Sequence, residues 1–247
     1  MKKLKYLCLI CWLIIPFALA QAQYPQWEFK INAAYNIGGT SPLPLPVEVR
    51  KIESFKPSGL SPHVALEAVY RLDEQWGISA QLALDYKGFT VSNRVKTLHT
   101  EIEMGDDMYV GYFTGKNTTA IKNSYFSIPI LANYYISEKW TLQLGLYFAY
   151  LYHPDFKGTA SDGYIRQGSP VGEKTEVDNA TFDFSESQNK FDYGVLVAGE
   201  WEFYSRLALR GQVAWGLRPL FPSDFRGMSF KMYNIYGSIG LSYRLKL

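Results

Sequence analysis

Cysteine is absent beyond residue 11: Cys8 and Cys11 are the chain's two thiols, and both lie in an apolar run at the N-terminus. After cleavage of that run no disulfide framework, thiol nucleophile or cysteine-ligated metal remains available. Long apolar segments are also missing. No stretch after the leader reaches the roughly 20 consecutive apolar residues of a spanning helix. Charge of one sign is missing too, since removing Lys2, Lys3 and Lys5 from 25 basic residues leaves 22 against 23 acidic ones. A mature net charge of about −1 argues against nucleic acid or a polybasic membrane patch.

The leader itself is informative. Its three lysines precede an apolar run over 6–19, followed by Ala18-Leu19-Ala20 and Ala20-Gln21-Ala22, which offer cleavage after 20 or 22. Residues 1–22 are therefore expected to be a secretory signal peptide and 23–247 the mature domain. Ile10 before Cys11 and Leu7 before Cys8 do not fit a lipoprotein site, which wants a small residue there.

What is abundant is alternation. From Trp140 to Tyr150 the even positions (Trp, Leu, Leu, Leu, Phe, Tyr) are large and apolar, while the odd ones are Thr141, Gln143, Gly145, Tyr147 and Ala149. Period two is the pattern of a strand between two unlike surfaces. Eight such stretches are read at 27–37, 63–72, 76–91, 125–136, 140–151, 190–203, 206–217 and 231–247. Each covers the roughly 9–11 residues a tilted strand needs to cross a bilayer. Connectors alternate between very short (73–75, 137–139, a bend at Tyr204-Ser205) and long, as they do between the two sides of an outer-membrane barrel. The expected fold is an all-β, eight-stranded, antiparallel up-and-down transmembrane barrel with short periplasmic turns and long extracellular loops, located in the outer membrane of a Gram-negative bacterium. Aromatic residues reinforce this. Trp27, Trp76, Trp140, Trp201 and Tyr243 fall at one end of their strands, and Tyr35, Tyr86, Phe126, Phe148, Tyr193, Trp215 and Tyr233 at the other, as two interfacial belts would. A soluble sandwich would not need its apolar face bounded by rings at both ends.

With the apolar set outward, the inward set contains Glu28, Glu67, Asp85, Asp192, Glu200 and Glu202 against Lys30, Arg71, Lys87, Arg206, Arg210, Arg218 and Arg244. Eight strands leave a lumen that side chains fill, and opposite charges are tolerated there when paired. A plugged lumen follows; the competing reading is a small channel or transporter. Pro129 cannot donate to a strand ladder, so local unpairing or a bulge is expected around it.

Candidate chemistry is sparse. His63 and His153 sit near outer strand ends, where barrel hydrolases and acyltransferases act on lipid, and Ser61, Ser161 or Asp155 could lie nearby. No spacing motif supports a triad, so both are read as surface histidines and no enzyme is expected. The acidic run 101–107, with Glu101, Glu103, Asp106 and Asp107, could hold a hard cation, but it lacks the regular Asp spacing and is read as a solvated loop. Loops 88–124 and 152–189 are long enough to be functional, and alternation in 101–103 and 108–113 points to a hairpin extending beyond the membrane. No cofactor is expected.

Ser127-Ile128-Pro129-Ile130-Leu131 with Tyr134-Tyr135, the opening Phe191-Asp192-Tyr193-Gly194, and the closing Ser238-Ile239-Gly240-Leu241-Ser242-Tyr243-Arg244-Leu245 resemble the outer-membrane β-barrel family of Bacteroidota that includes PorT-like proteins. The resemblance implies an integral barrel of about eight strands, some relatives serving protein secretion. It also implies that Gly240, Tyr243 and Leu245 belong to the C-terminal signal read by the barrel-assembly machinery, although Leu245 and Leu247 stand where an aromatic is usual. The implied partners are outer-membrane lipid and lipopolysaccharide, that machinery during biogenesis, and a secretion-system or surface protein, with no nucleic acid.

Overall fold

The computed structural model describes residues 27–105 and 107–246; the leader and its cleavage sites lie outside them. Eleven antiparallel strands follow one another: β1 (Trp27–Ser41), β2 (Val49–Pro57), β3 (Pro62–Arg71), β4 (Trp76–Met104), β5 (Asp107–Tyr135), β6 (Trp140–His153), β7 (Phe156–Gln167), β8 (Lys174–Asp183), β9 (Phe191–Tyr204), β10 (Leu207–Gly216) and β11 (Tyr233–Arg244). The expectation of eight strands is thus corrected to eleven. The three additional ones, β2, β7 and β8, arise from segments read as loops.

The pairings close on themselves. β1 pairs with β3, β3 with β4, β4 with β5, β5 with β6, β6 with β9, β9 with β10, β10 with β11, and β11 returns to β1. Within this ring each strand keeps strict alternation, because one face meets a polar interior and the other presents apolar side chains. In β1, Glu28, Lys30, Asn32 and Asn36 are buried while Trp27, Phe29, Ile31 and Ile37 are exposed. At one end of the ring Trp27 packs on Tyr70, Trp76 on Tyr134 and Trp140 on Trp201, with ring centroids 5.0, 4.8 and 6.0 Å apart. The tight turns sit at this same end. In the first, the Asp73 carboxylate accepts the N–H groups of Gln75 and Trp76, each at 2.7 Å. In the third, Arg206 takes a positive φ of 67°.

The other end is built up rather than frayed. β4 and β5 each run 29 residues, about three times what a bilayer requires. Beyond the ring β4 passes its edge from β3 to β2 (Phe89 to Val95) and finally to β8 at Glu103↔Thr181, while β5 passes its edge from β6 to β7. Loop 88–124 is therefore a continuous hairpin, and loop 152–189 contains the β7–β8 hairpin. The alternation changes phase there for a local reason. Thr97 has φ 59° and the β4–β5 register shifts between Val95 and Leu98, so the inward face changes from odd to even positions across a bulge. Inside this outer module lies an apolar core of Leu98, Ile102, Phe113, Ile121, Phe156, Ile165, Val177 and Phe182, covered by Leu220, Phe221 and Met232.

Around Pro129 the ladder to β4 is interrupted without a register shift: Ala80↔Ile130 and Ala83↔Ser127 pair, and the two positions between do not. Pro129 has no N–H to give, and both amide atoms of buried Gln81 opposite it lack partners.

Candidate functional site

The interior of the ring forms three tiers. The lowest is an open mouth of about 350 Å³ between Glu28, Arg71, Tyr135, Glu202, Arg206 and Arg244. Here Arg71 Nε donates to Glu28 at 2.6 Å and its guanidinium lies 4.0 Å above the Tyr135 ring, while Arg244 pairs with Glu202. Arg206 lines the mouth from the turn, and its N–H donates to Glu202 at 3.4 Å.

The middle tier is a buried network of charges and amides. Lys30 Nζ reaches Glu200 at 2.6 Å, and Arg210 Nη1 reaches Glu200 and the Gln143 carbonyl at 2.5 Å each and Glu67 at 3.7 Å. Glu67 accepts further from Asn32 at 2.9 Å and Gln143 at 3.0 Å, and Gln143 donates to Asn133. Arg210, Glu67 and Glu200 are almost wholly buried. Two cations and two carboxylates drawn from four strands therefore neutralise one another, which is the condition under which charges persist in low dielectric.

In the upper tier hydroxyl, imidazole and amide groups surround the carboxylates. Asp85 accepts from Ser127 at 2.7 Å and faces His63 Nδ1 at 2.7 Å, and Asp192 accepts from Tyr147 at 3.0 Å and Asn234 at 2.9 Å. The Lys87 ammonium sits among three tyrosine rings, 4.9 Å from Tyr125, 5.3 Å from Tyr147 and 5.5 Å from Tyr236. Cation–π attraction is stronger for a desolvated ammonium, so the cage holds Lys87 across the top of the lumen.

Above this lid lies a different environment. A chamber of about 230 Å³ is enclosed by β2, the upper parts of β4 and β5, the β7–β8 hairpin and the segment before β11, with Phe89, Ile121, Phe182, Met228 and Met232 among its walls. At the corner of its rim, modest burial raises the Asp183 carboxyl, but donation from Ser185 Oγ and N–H and the nearby Lys157 ammonium hold it below the ordinary range.

Residues 20–222 match the sequence model of a family described as outer membrane protein beta-barrel domain. The chain belongs to that family. It is an integral outer-membrane β-barrel protein. Among solved structures it is similar to Ail, the attachment invasion locus protein of Yersinia pestis, at 10% identity over 89% of this chain and 97% of that one, with a TM-score of 0.33. The complex of Ail with the heparin analogue sucrose octasulfate gives 11% and 0.34 over the same spans. No curated protein matches.

Of the inward residues expected from sequence, the barrel interior gathers Glu28, Lys30, Glu67, Arg71, Asp85, Lys87, Asp192, Glu200, Glu202, Arg206, Arg210 and Arg244. Arg218 is not with them; it lies beyond β10 and donates to Asn189 at 3.2 Å. The reading of His63 as a surface residue is corrected, because it is almost wholly buried. It shares strand parity with Glu67 two turns of the pleat away, which places it inward. The neutral partners Asn32, Asn133, Gln143 and Asn234 carry no charge to mark them in the sequence, but the same strand parity places them inward. Gly240 faces the β1–β11 seam, where a Cβ would run into the Ala33 carbonyl and Ala34. Tyr243 belongs to the exposed outer face, and Leu245 N–H donates to Phe29 O at 2.8 Å beyond the strand. Asp106 of the acidic run is outside the described residues. Glu101, Glu103 and Asp107 flank the tip of the β4–β5 hairpin, and no group of three acidic or imidazole ligands forms among the described residues.

His63 and His153 now separate. Replacing His63 by Ala removes a hydrogen bond to a buried carboxylate and should cost about 1.5–3 kcal/mol, read as a lower urea midpoint of the folded band on a heat-modifiability gel. His153→Ala, at an exposed position, should leave the midpoint unchanged.

Proposed function

We propose that the closed ring of β1, β3–β6 and β9–β11 is the membrane-spanning unit, exported by a leader cleaved after 20 or 22, with termini and short turns in the periplasm and the outer module outside. The lumen is plugged, and the protein acts as a binding or scaffold component, of the kind that PorT-like relatives supply to protein secretion, and not as a catalyst. Its partners are outer-membrane lipid and lipopolysaccharide, the assembly machinery that reads Gly240, Tyr243 and Leu245, and a surface or secretion component on the module.

The observation that carries this reading is the middle tier. Arg210, Lys30, Glu67 and Glu200 satisfy one another across the full width of the lumen, so the interior is committed to structure and the built surface lies above it. Against catalysis stands the wiring of His63: Ser127 donates to Asp85 and not to the imidazole, so the hydroxyl has no base aligned on it.

Orientation is directly testable because the mature chain has no native thiol. Val171, 87% exposed between β7 and β8, and Glu138, exposed between β5 and β6, are suitable single-cysteine sites. On intact cells a membrane-impermeant maleimide should label Val171→Cys fully, and Glu138→Cys only after the outer membrane is permeabilised. Labelling of Glu138→Cys alone on intact cells would reverse the topology.

A further inference from the structure

The chamber above the lumen has the chemistry of a ligand site. Its walls are mostly Phe, Met and branched aliphatic side chains, and no charged side chain lines it. Thr40, Ser41, Thr100 and Thr119 add hydroxyls, and two amides interrupt the apolar lining on the β4–β5 wall. Asn93 and Asn117 stand directly opposite each other on β4 and β5, both border the chamber, and the Oδ1 of each is buried with no hydrogen-bond partner. The two asparagines could have satisfied each other or solvent, as Ser92 and Thr118 do on the opposite face at 2.9 Å. A buried acceptor without a donor costs free energy that a bound donor would recover. Access exists from the side of β2, the free edge of the sheet, where Leu45, Ile52 and Phe55 at the rim are about half exposed.

We propose that this chamber binds a small, uncharged, largely apolar molecule that presents one or two O–H or N–H donors to the Asn93–Asn117 pair. Size follows from volume. A protein cavity of roughly 150 Å³ accommodates benzene, so about 230 Å³ takes a molecule of roughly nine or ten heavy atoms. The absence of a cation on the wall excludes a carboxylate or sulfate group, because a desolvated anion needs a paired charge. The inference rests on the proposed function only for the statement that the chamber faces the exterior; its chemistry is independent of orientation.

The mature chain in lipid nanodiscs, titrated with three fluorinated probes and read by ¹⁹F NMR against empty nanodiscs, tests it. 4-Fluorobenzyl alcohol should show saturable binding. 4-Fluorotoluene, which lacks the donor, should bind about tenfold more weakly, and 4-fluorobenzoate should not bind. The double variant Asn93→Leu/Asn117→Leu should lose the preference for the alcohol while keeping the toluene. Val91→Trp, which fills the chamber, should abolish binding of both. Heat-modifiability gels establish that each variant is folded. Absence of saturable binding by both neutral probes, benzoate binding as tight as the alcohol, or an unchanged alcohol preference in the asparagine variant would overturn the proposal. Reversed cysteine labelling with probe binding intact would instead sink the orientation and leave the site standing.

Discussion

Arg210→Met is expected to destabilise the folded protein by about 3–5 kcal/mol, the cost of leaving a buried charge without its partner. Arg210 is almost wholly buried and is shared by Glu200, Glu67 and Gln143. With it gone, Lys30 alone faces two carboxylates in a site that water reaches poorly. Folded proteins typically have about 5–15 kcal/mol in hand, so the loss is a large fraction of the total. It should appear as a markedly lower urea midpoint for the heat-modifiable band. Methionine keeps most of the volume, so the effect reports charge and not a cavity. Adding Glu200→Gln restores one cation against one carboxylate, Lys30 with Glu67, and the double variant should regain at least half of the loss. A single variant as stable as the wild type would show that the tier is solvated and does not close the lumen.

How much of this was legible in the sequence depended on what each residue faces. Between the belts, lipid on one side and a packed lumen on the other enforce period two without exception, so the ring strands and their inward charges could be read from parity. At the ends of β4 and β5 the alternation in 101–103 and 108–113 pointed to the hairpin, but the stretches joining it to the ring could not be read. Above Val91 both faces become mixed, with Ser92, Asn93 and Arg94 opposite Thr118, Asn117 and Lys116, because no lipid requires an apolar side there. The bulge at Thr97 then shifts the phase. β7 and β8 are rich in Gly, Ser, Thr and Asp, residues that read as loop, and they become strands by pairing with β5 and each other. The chamber was invisible for the same reason: its walls come from five separate segments, and nothing in the spacing of Phe89, Phe182 and Met232 announces that they meet. His63 and the lumen amides were different. Their parity places them inward, yet an uncharged Asn or Gln in a strand is unremarkable until its neighbours across the lumen are known.

The wall of the barrel and its contents make opposite demands on an ion, and electrical conductance distinguishes them. The lower mouth is open to about 350 Å³, so an ion entering from the short turns meets Glu28, Arg71 and Glu202 freely. It then reaches the tier of Lys30, Glu67, Arg210 and Glu200, where every charge is already neutralised within 4 Å, and above that Lys87 in its tyrosine cage. Transit would require breaking buried pairs at several kcal/mol each. Widening only the mouth, as in Glu28→Ala/Arg71→Ala, should not open the path. The decisive measurement is the single-channel record of the mature protein in a planar lipid bilayer. For both the wild type and that double variant, a current indistinguishable from the bare bilayer is predicted. Steady, large conductance steps from the wild type would contradict a plugged lumen and make the protein a channel.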